Sequence, residues 1–335
     1  DTVHVRGWDA HWREDPRRDP FGGIERDGSL WGRGACDLKG GICAAVAAVG
    51  LLKHAGLELD GRIVLAFIGD EESGEPGTGI SAGMKDLVVR VASGEIPKPD
   101  FSIYVEPTNL DVYTAQIGFF IADITVTGKT AYFGTPEFGC DALKAACNIL
   151  SEIWALEVLL ENRPRHDLVG SSAILVTSVD TIDRFIAVPG KCNLSVICKL
   201  RPGESIDDAV AEFEGSLAGA DLDEGISLDI TYPACRDHPK GGTPVEIPPE
   251  SDPVLKLQEC VKHICPGAGR IKGAPYWSEI PFLTNQVGCP AVYCAPGNIA
   301  VAHTYEERIE VDEYLSAVRA FALFIAQYCG TRACA

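Results

Sequence analysis

Between residues 119 and 232 the hydrophobic period changes from one segment to the next, and the order of those changes restricts the fold more than any other feature of the 335 residues. Strand-like patterning over 119–129, helical spacing over 141–162, two further strand-like runs over 172–181 and 193–200, a helix over 205–218 and a last strand over 226–232 are predicted. The order βαββαβ is the split-βαβ, ferredoxin-like arrangement. It is a complete small domain in itself, so the chain on either side must build something else.

That flanking chain reads as α/β. Residues 40–55 are small and apolar at helical spacing, opened by Gly40-Gly41 and stopped by Gly56, and the run RIVLAFIG over 62–69 reads as a buried strand. Short apolar runs at 101–105 and 291–295 each end in turn-forming or acidic residues, and 311–328 forms a long final helix. Functional residues are then expected where the strands end. The expected division is a first part of one domain over 1–116, the inserted domain over 117–232, and the second part of the first over 233–335. The Pro- and Gly-rich stretch 236–251 serves as linker.

Composition removes several classes of function. With 46% hydrophobic and 23% charged residues the chain is globular, and its apolar runs read as too short to span a bilayer, so no membrane partner is expected. Forty-eight acidic against 29 basic side chains give a formal charge of -19, which repels phosphate backbones; nucleic acid is not an expected partner. Thirteen cysteines sit singly in settings such as Gly41-Ile42-Cys43-Ala44 and Val292-Tyr293-Cys294, with no CxxC pair. They read as reduced core filler, which together with the lack of a basic-then-apolar leader predicts a cytoplasmic protein.

Four clusters carry chemistry. Asp37 stands in Trp31-Gly32-Arg33-Gly34-Ala35-Cys36-Asp37-Leu38-Lys39-Gly40-Gly41, a carboxylate between glycine turns and a helix start. Alone it would be explained as a helix cap. Asp70-Glu71-Glu72 follows the apolar run 62–69, and three successive carboxylates there need either an offsetting cation or a retained proton. Alone it would be a solvated turn. Glu106 ends the run Ser102-Ile103-Tyr104-Val105, and His303 lies in a loop. Together Asp37, Glu72, Glu106 and His303 form the oxygen and imidazole set expected of a two-zinc hydrolase.

At this point a resemblance is explicit. Asp19-Pro20-Phe21, Asp27-Gly28, the run from Gly32 to Gly41, Asp70-Glu71-Glu72-Ser73-Gly74, Val105-Glu106-Pro107-Thr108, Gly128-Lys129-Thr130-Ala131, Val188-Pro189, Arg201-Pro202-Gly203-Glu204, Trp277-Ser278-Glu279 and Ala302-His303-Thr304 occur in family order. The chain thereby resembles the co-catalytic zinc aminoacylase/carboxypeptidase family, which includes acetylornithine deacetylase, succinyl-diaminopimelate desuccinylase, aminoacylase and glutamate carboxypeptidase. The resemblance implies a zinc-hydrolase catalytic domain, a mixed sheet flanked by helices, with the βαββαβ unit as its lid and dimerisation domain. It further implies hydrolysis of a linear amide, most simply of an N-acyl amino acid, with carboxypeptidase or dipeptidase action as the alternative. A catalytically impaired homologue acting as a binding protein is a third. The implied cofactor is Zn2+, two per active site, with Co2+ or Mn2+ as substitutes, and the implied assembly is a homodimer. Carried over by position, Asp37 bridges two ions, Glu72 and His303 complete one, Glu106 serves the other, and Glu71 is the general base.

Three departures accompany the match. The family places a zinc-binding histidine two residues before the aspartate of a His-x-Asp-x-Val phrase, whereas this chain opens on that catalytic aspartate, Asp1-Thr2-Val3; His4 and His11 both lie after it. One ion held firmly and a second weakly is therefore expected. Tyr132 stands where a histidine usually steadies the oxyanion, and Lys199 replaces an arginine, holding a substrate carboxylate as a point charge without the guanidinium fork. Ile186 stands near the position of an expected asparagine.

Overall fold

The computed structural model describes residues 2–72, 78–181 and 186–333, and contacts divide the chain into two units. One comprises Asp1–Ala115, Glu246–Ala274 and Ser278–Ala335; the other comprises Gln116–Val245 with Pro275–Trp277. The chain thus leaves the first unit, builds the second, and returns.

The first unit opens with the short helix α1 (Trp8–Trp12), the strands β1 (Ile24–Arg26) and β2 (Ser29–Trp31), helix α2 (Gly40–His54), β3 (Leu57–Leu59), α3 (Ala82–Ala92), β4 (Ser102–Tyr104) and β5 (Val112–Gln116). The second unit then contains β6 (Gly118–Thr127), α4 (Ala142–Glu161), β7 (Ala173–Thr181), β8 (Lys191–Leu200), α5 (Ile206–Leu217), β9 (Ser227–Thr231) and β10 (Gly241–Gly242). After β11 (Val245–Glu246), the first unit is completed by α6 (Asp252–Ile264), β12 (Ile271–Ala274), β13 (Ala291–Tyr293), β14 (Arg308–Glu310), α7 (Val311–Cys329) and β15 (Thr331–Ala333).

In the second unit β8 lies between β6 and β7, and β9 and β10 share the other edge of β6, all antiparallel. Period-two patterning decides which face is covered. Phe120, Ala122, Ile124 and Val126 of β6 and Cys192, Leu194, Val196, Cys198 and Leu200 of β8 point into one core, against α4 and α5. Ile149, Leu150, Leu156 and Leu160 of α4 are spent in that core, while Leu143, Trp154, Val158 and Leu159 remain exposed. Asp141 caps α4 by accepting from the backbone N–H groups of Leu143 and Lys144.

The first unit is mixed. β13 pairs parallel with β4 and antiparallel with β5, and β14 pairs antiparallel with β2. Helix α2 packs along α7, and glycine at its start is a steric requirement: a Cβ on Gly41 would overlap the carbonyl oxygen of Val105, next to Glu106. The absence of that Cβ brings the beginning of α2 against the chain that leaves β4.

Two expectations are corrected here, and a third in part. Residues 62–69 form no strand, and much of the run is exposed, Phe67 at 63%. Apolar content identifies a strand former but supplies no partner, and among the described residues none is hydrogen-bonded to this run as a ladder. The segment Ala35–His54 does reach the length and apolar content of a bilayer span, although its small residues Gly40, Gly41, Ala44 and Ala48 are buried within the protein. Among the described residues the cysteines are free, as expected of thiols, but only Cys36, Cys192, Cys198, Cys260, Cys289 and Cys294 are buried; Cys43, Cys147 and Cys235 are exposed.

Candidate metal centre

Asp37 sits in an irregular turn between β2 and α2. Gly34 enters the turn at φ +80°, a conformation that favours glycine, and Lys39 N–H closes it on the Gly34 carbonyl at 2.8 Å. Asp37 itself is extended (φ -117°, ψ 93°), so its side chain leaves the direction of the following helix. The peptide bond after it is cis.

The acidic triplet divides its labour. Asp70, at φ +67°, turns its carboxylate to the backbone N–H groups of Gly79 (2.8 Å), Ile80 (3.2 Å) and Ala82 (3.1 Å), fastening the loop to the start of α3. That leaves Glu71 and Glu72 for other partners. Glu72 Oε1 lies 3.3 Å from His303 Nε2, and Asp37 Oδ2 lies 2.9 Å from the same nitrogen. One ligand atom from each of Asp37, Glu72 and His303 lies within 4.8 Å of the others. His303 reaches them from a left-handed backbone conformation, φ +60°, with its side chain 55% exposed.

Beside this triad lies a second, more deeply buried group. Ser278 Oγ is 2.9 Å from Glu71 Oε1 and 3.2 Å from Glu106 Oε1, and Tyr104 donates to buried Glu279 at 3.0 Å. Burial first, then the negative charges of Glu279 and Glu72, push the Glu71 carboxyl up to about 8 against the opposing hydrogen bond from Ser278. Burial, with the charges of Glu71, Asp37 and Glu72, likewise raises Glu106. His303 is raised to about 10 by its hydrogen bonds to Asp37 and Glu72. The physical content is one of shortage: several closely spaced carboxylates, buried Glu106 and Glu279 among them, have one half-exposed imidazole to offset their charge. Two carboxylate oxygens and an imidazole nitrogen converging from three segments suit a zinc-class ion, and a dication there would relieve the repulsion. The donor set therefore fits the metal that the sequence implies.

Other expected residues lie elsewhere. Asp1 falls outside the described residues. Tyr132 and Lys199 belong to the second unit, where Tyr132 is exposed and packs edge-on against Phe133, and the Lys199 ammonium donates to the Val169 carbonyl at 2.8 Å. His11 stacks on Tyr305 and faces Glu306, and His4 offers its carbonyl to Arg33; neither is in the triad.

Three participants were not singled out by sequence. Ser278 appeared only inside the phrase Trp277-Ser278-Glu279. Arg33 and Glu307 lay close to named residues, but their buried pairing across 274 positions is invisible in a linear reading.

Known proteins resemble this chain throughout. The sequence pattern of Peptidase family M20/M25/M40 matches residues 1–327. An acetylornithine deacetylase of Myxococcus xanthus is 26% identical over 334 residues, spanning 97% of this chain and 78% of that protein. A succinyl-diaminopimelate desuccinylase of Gluconacetobacter diazotrophicus is 28% identical over 325 residues, spanning 93% and 76%. Among solved structures, an M20 family metallo-carboxypeptidase from Sulfolobus solfataricus superposes with a TM-score of 0.71 at 15% identity, over 98% of this chain and 83% of that one. Human carnosine dipeptidase 1 gives 0.66 at 15% identity, over 98% and 78%. The order of motifs read from the sequence and the family pattern thus agree along nearly the whole length, and the chain belongs to peptidase family M20/M25/M40.

Proposed function

We propose that this protein is a metal-dependent amidohydrolase that removes the acyl group from an N-acyl amino acid, using zinc at Asp37, Glu72 and His303. The observation that carries the reading is the convergence of those three ligand atoms within 4.8 Å, directly beside Glu71 in the sequence. The names of relatives support the reaction class, since they include a deacetylase, a desuccinylase and, at 24% identity over 353 residues, a Bacillus subtilis deformylase. A bound dication would polarise the amide carbonyl and make water easier to deprotonate.

The chain's own residues supply the rest. Glu71 is the general base: it takes a proton from the attacking water and passes it to the leaving amine. Ser278, hydrogen-bonded to Glu71, orients that carboxylate. Glu106, drawn to the same hydroxyl, is the additional oxygen ligand that a second ion would use. Tyr132 donates a neutral hydrogen bond to substrate, and Lys199 receives a substrate carboxylate once it gives up the Val169 carbonyl. The second unit acts as lid and as dimer contact, for which its exposed apolar side chains on α4 and on the edge strand β7 are suited.

The test is hydrolysis of a panel of N-acetyl, N-succinyl and N-formyl amino acids alongside dipeptides, with zinc added and with chelator. Chelator-sensitive release of amino acid from the acylated series supports the proposal. Preference for dipeptides would move it to the peptidase alternative, and no turnover of either class would leave a binding protein.

A further inference from the structure

Asp37 and His303 are 2.9 Å apart but 266 positions apart in sequence, and something must hold their two segments in register. The strand pair β2 and β14 does so coarsely, with Trp31 opposite Arg308 and Gly32 N–H donating to the Glu307 carbonyl at 3.2 Å. The fine adjustment is made by a side chain. Glu307, four residues after His303, has a fully buried carboxylate, and its Oε1 accepts the backbone N–H of Cys36 at 3.2 Å and of Asp37 at 3.0 Å. Its Oε2 is paired with the guanidinium of Arg33, itself buried and lying 5.1 Å from the centre of the Trp8 ring.

We infer that Glu307, held by Arg33, is a positioning residue that keeps the Asp37 turn locked to the segment bearing His303, so that their ligand atoms meet at one ion. The inference rests on the metal reading proposed above. Both N–H donors stand in the first three residues of the turn that starts after Gly34, where no preceding helical carbonyl is available to them, and one carboxylate oxygen satisfies both. Because Glu307 lies on the chain that carries His303, any movement of the Asp37 backbone away from His303 breaks those bonds. The Arg33 pair fixes the carboxylate in turn, as a guanidinium suits a buried oxygen pair better than an ammonium does. Glu307 acts through the Asp37 backbone, whose N–H its Oε1 accepts. Groups that orient metal ligands in this way typically set metal affinity within about 10–100-fold.

The experiment is titration of metal-stripped protein with zinc chloride, followed by calorimetry, in the wild type and in Glu307→Gln, Arg33→Lys and Asp111→Asn. Asp111 is a buried carboxylate of the same unit that is engaged with Arg270 and Lys272, so it controls for general loss of stability. The expected result is a zinc Kd raised about 10–100-fold in Glu307→Gln, raised less in Arg33→Lys, and unchanged in Asp111→Asn. A wild-type Kd in folded Glu307→Gln overturns the inference. Should that variant fail to fold, Arg33→Lys decides, and an unchanged Kd there overturns it equally. If the wild type itself takes up no zinc, it is the metal reading that has failed; uptake by the wild type with unaltered affinity in the variants is failure of this inference alone.

Discussion

Ser278 Oγ stands 2.9 Å from Glu71 Oε1, joining the loop before β13 to the acidic segment before α3. The hydroxyl has one proton and a second carboxylate, Glu106, at 3.2 Å, so it can donate to only one of them at a time. Ser278→Ala removes a single hydrogen bond from the proposed base and is expected to lower kcat/KM by about fivefold, the effect of roughly 1 kcal/mol. Zinc content measured on the same preparation should be unchanged. A variant as active as wild type would remove Ser278 from the reaction.

Glu71→Gln preserves size and burial but cannot accept a proton. Turnover of the best N-acyl amino acid should fall by at least about 10²-fold, whereas zinc bound after dialysis should stay near the wild-type amount. Equal loss of zinc would make Glu71 a ligand and displace the base assignment.

Metal stoichiometry follows from which groups converge. Among the described residues one set of three ligand atoms meets, at Asp37, Glu72 and His303, while Glu106 Oε1 accepts from the Ser278 hydroxyl. Zinc loading followed by exhaustive dialysis should leave one equivalent per chain, and His303→Ala should leave none. Two retained equivalents would mean that a further group completes a second site with Glu106.

The pH dependence of stability should show Asp111 plainly. Its fully buried carboxylate accepts from Arg270 N–H (2.9 Å), Arg270 Nη2 (3.0 Å) and Lys272 Nζ (2.7 Å). Burial alone would raise its pKa, but the bonds from Arg270 and Lys272 together outweigh it and the carboxyl is lowered. A carboxyl lowered on folding stabilises the native state above its unfolded value of about 3.9, and that contribution disappears as pH falls through the lower folded value. Asp111→Asn should therefore cost about 1–3 kcal/mol at neutral pH in denaturant unfolding. The difference from wild type should shrink below about pH 4; a constant difference down to pH 2.5 would contradict the ion-pair account.

Trp154, half-exposed on α4, shares a stripe with Leu143 and Val158, and the edge strand β7 exposes Leu175 and Val179. Sedimentation should give a dimer for the wild type at micromolar concentration and a monomer for Trp154→Glu. A wild-type monomer would end the dimer proposal.

Legibility in the sequence followed the range of the interactions involved. The alternation in β6 and β8 and the spacing of α4 declare their own secondary structure, because the same residues that form each element also face its core. The run 62–69 has strand-like composition yet forms no strand for the complementary reason, since a strand exists only with a neighbour. Asp70 looked equal to Glu71 and Glu72 until its three backbone partners at 79, 80 and 82 were visible. Arg33, Ser278 and Glu307 carry no local signal because each works through a residue more than 200 positions away. Asp37, Glu72 and His303 stood out through composition and order, but their meeting point required the fold.

An ion held jointly by Asp37 and His303, 266 positions apart, would fasten two distant segments of the chain. A chain in which the last segment has come away has no complete ligand set, so an ion that binds only the closed form adds RT ln(1 + [ion]/Kd) to the stability of that closure. Metal supply would then govern how long the first unit survives proteolysis as well as how fast it works. Depleting the ion would expose the carboxy-terminal segment before the second unit, whose core is built from residues of its own, had begun to open.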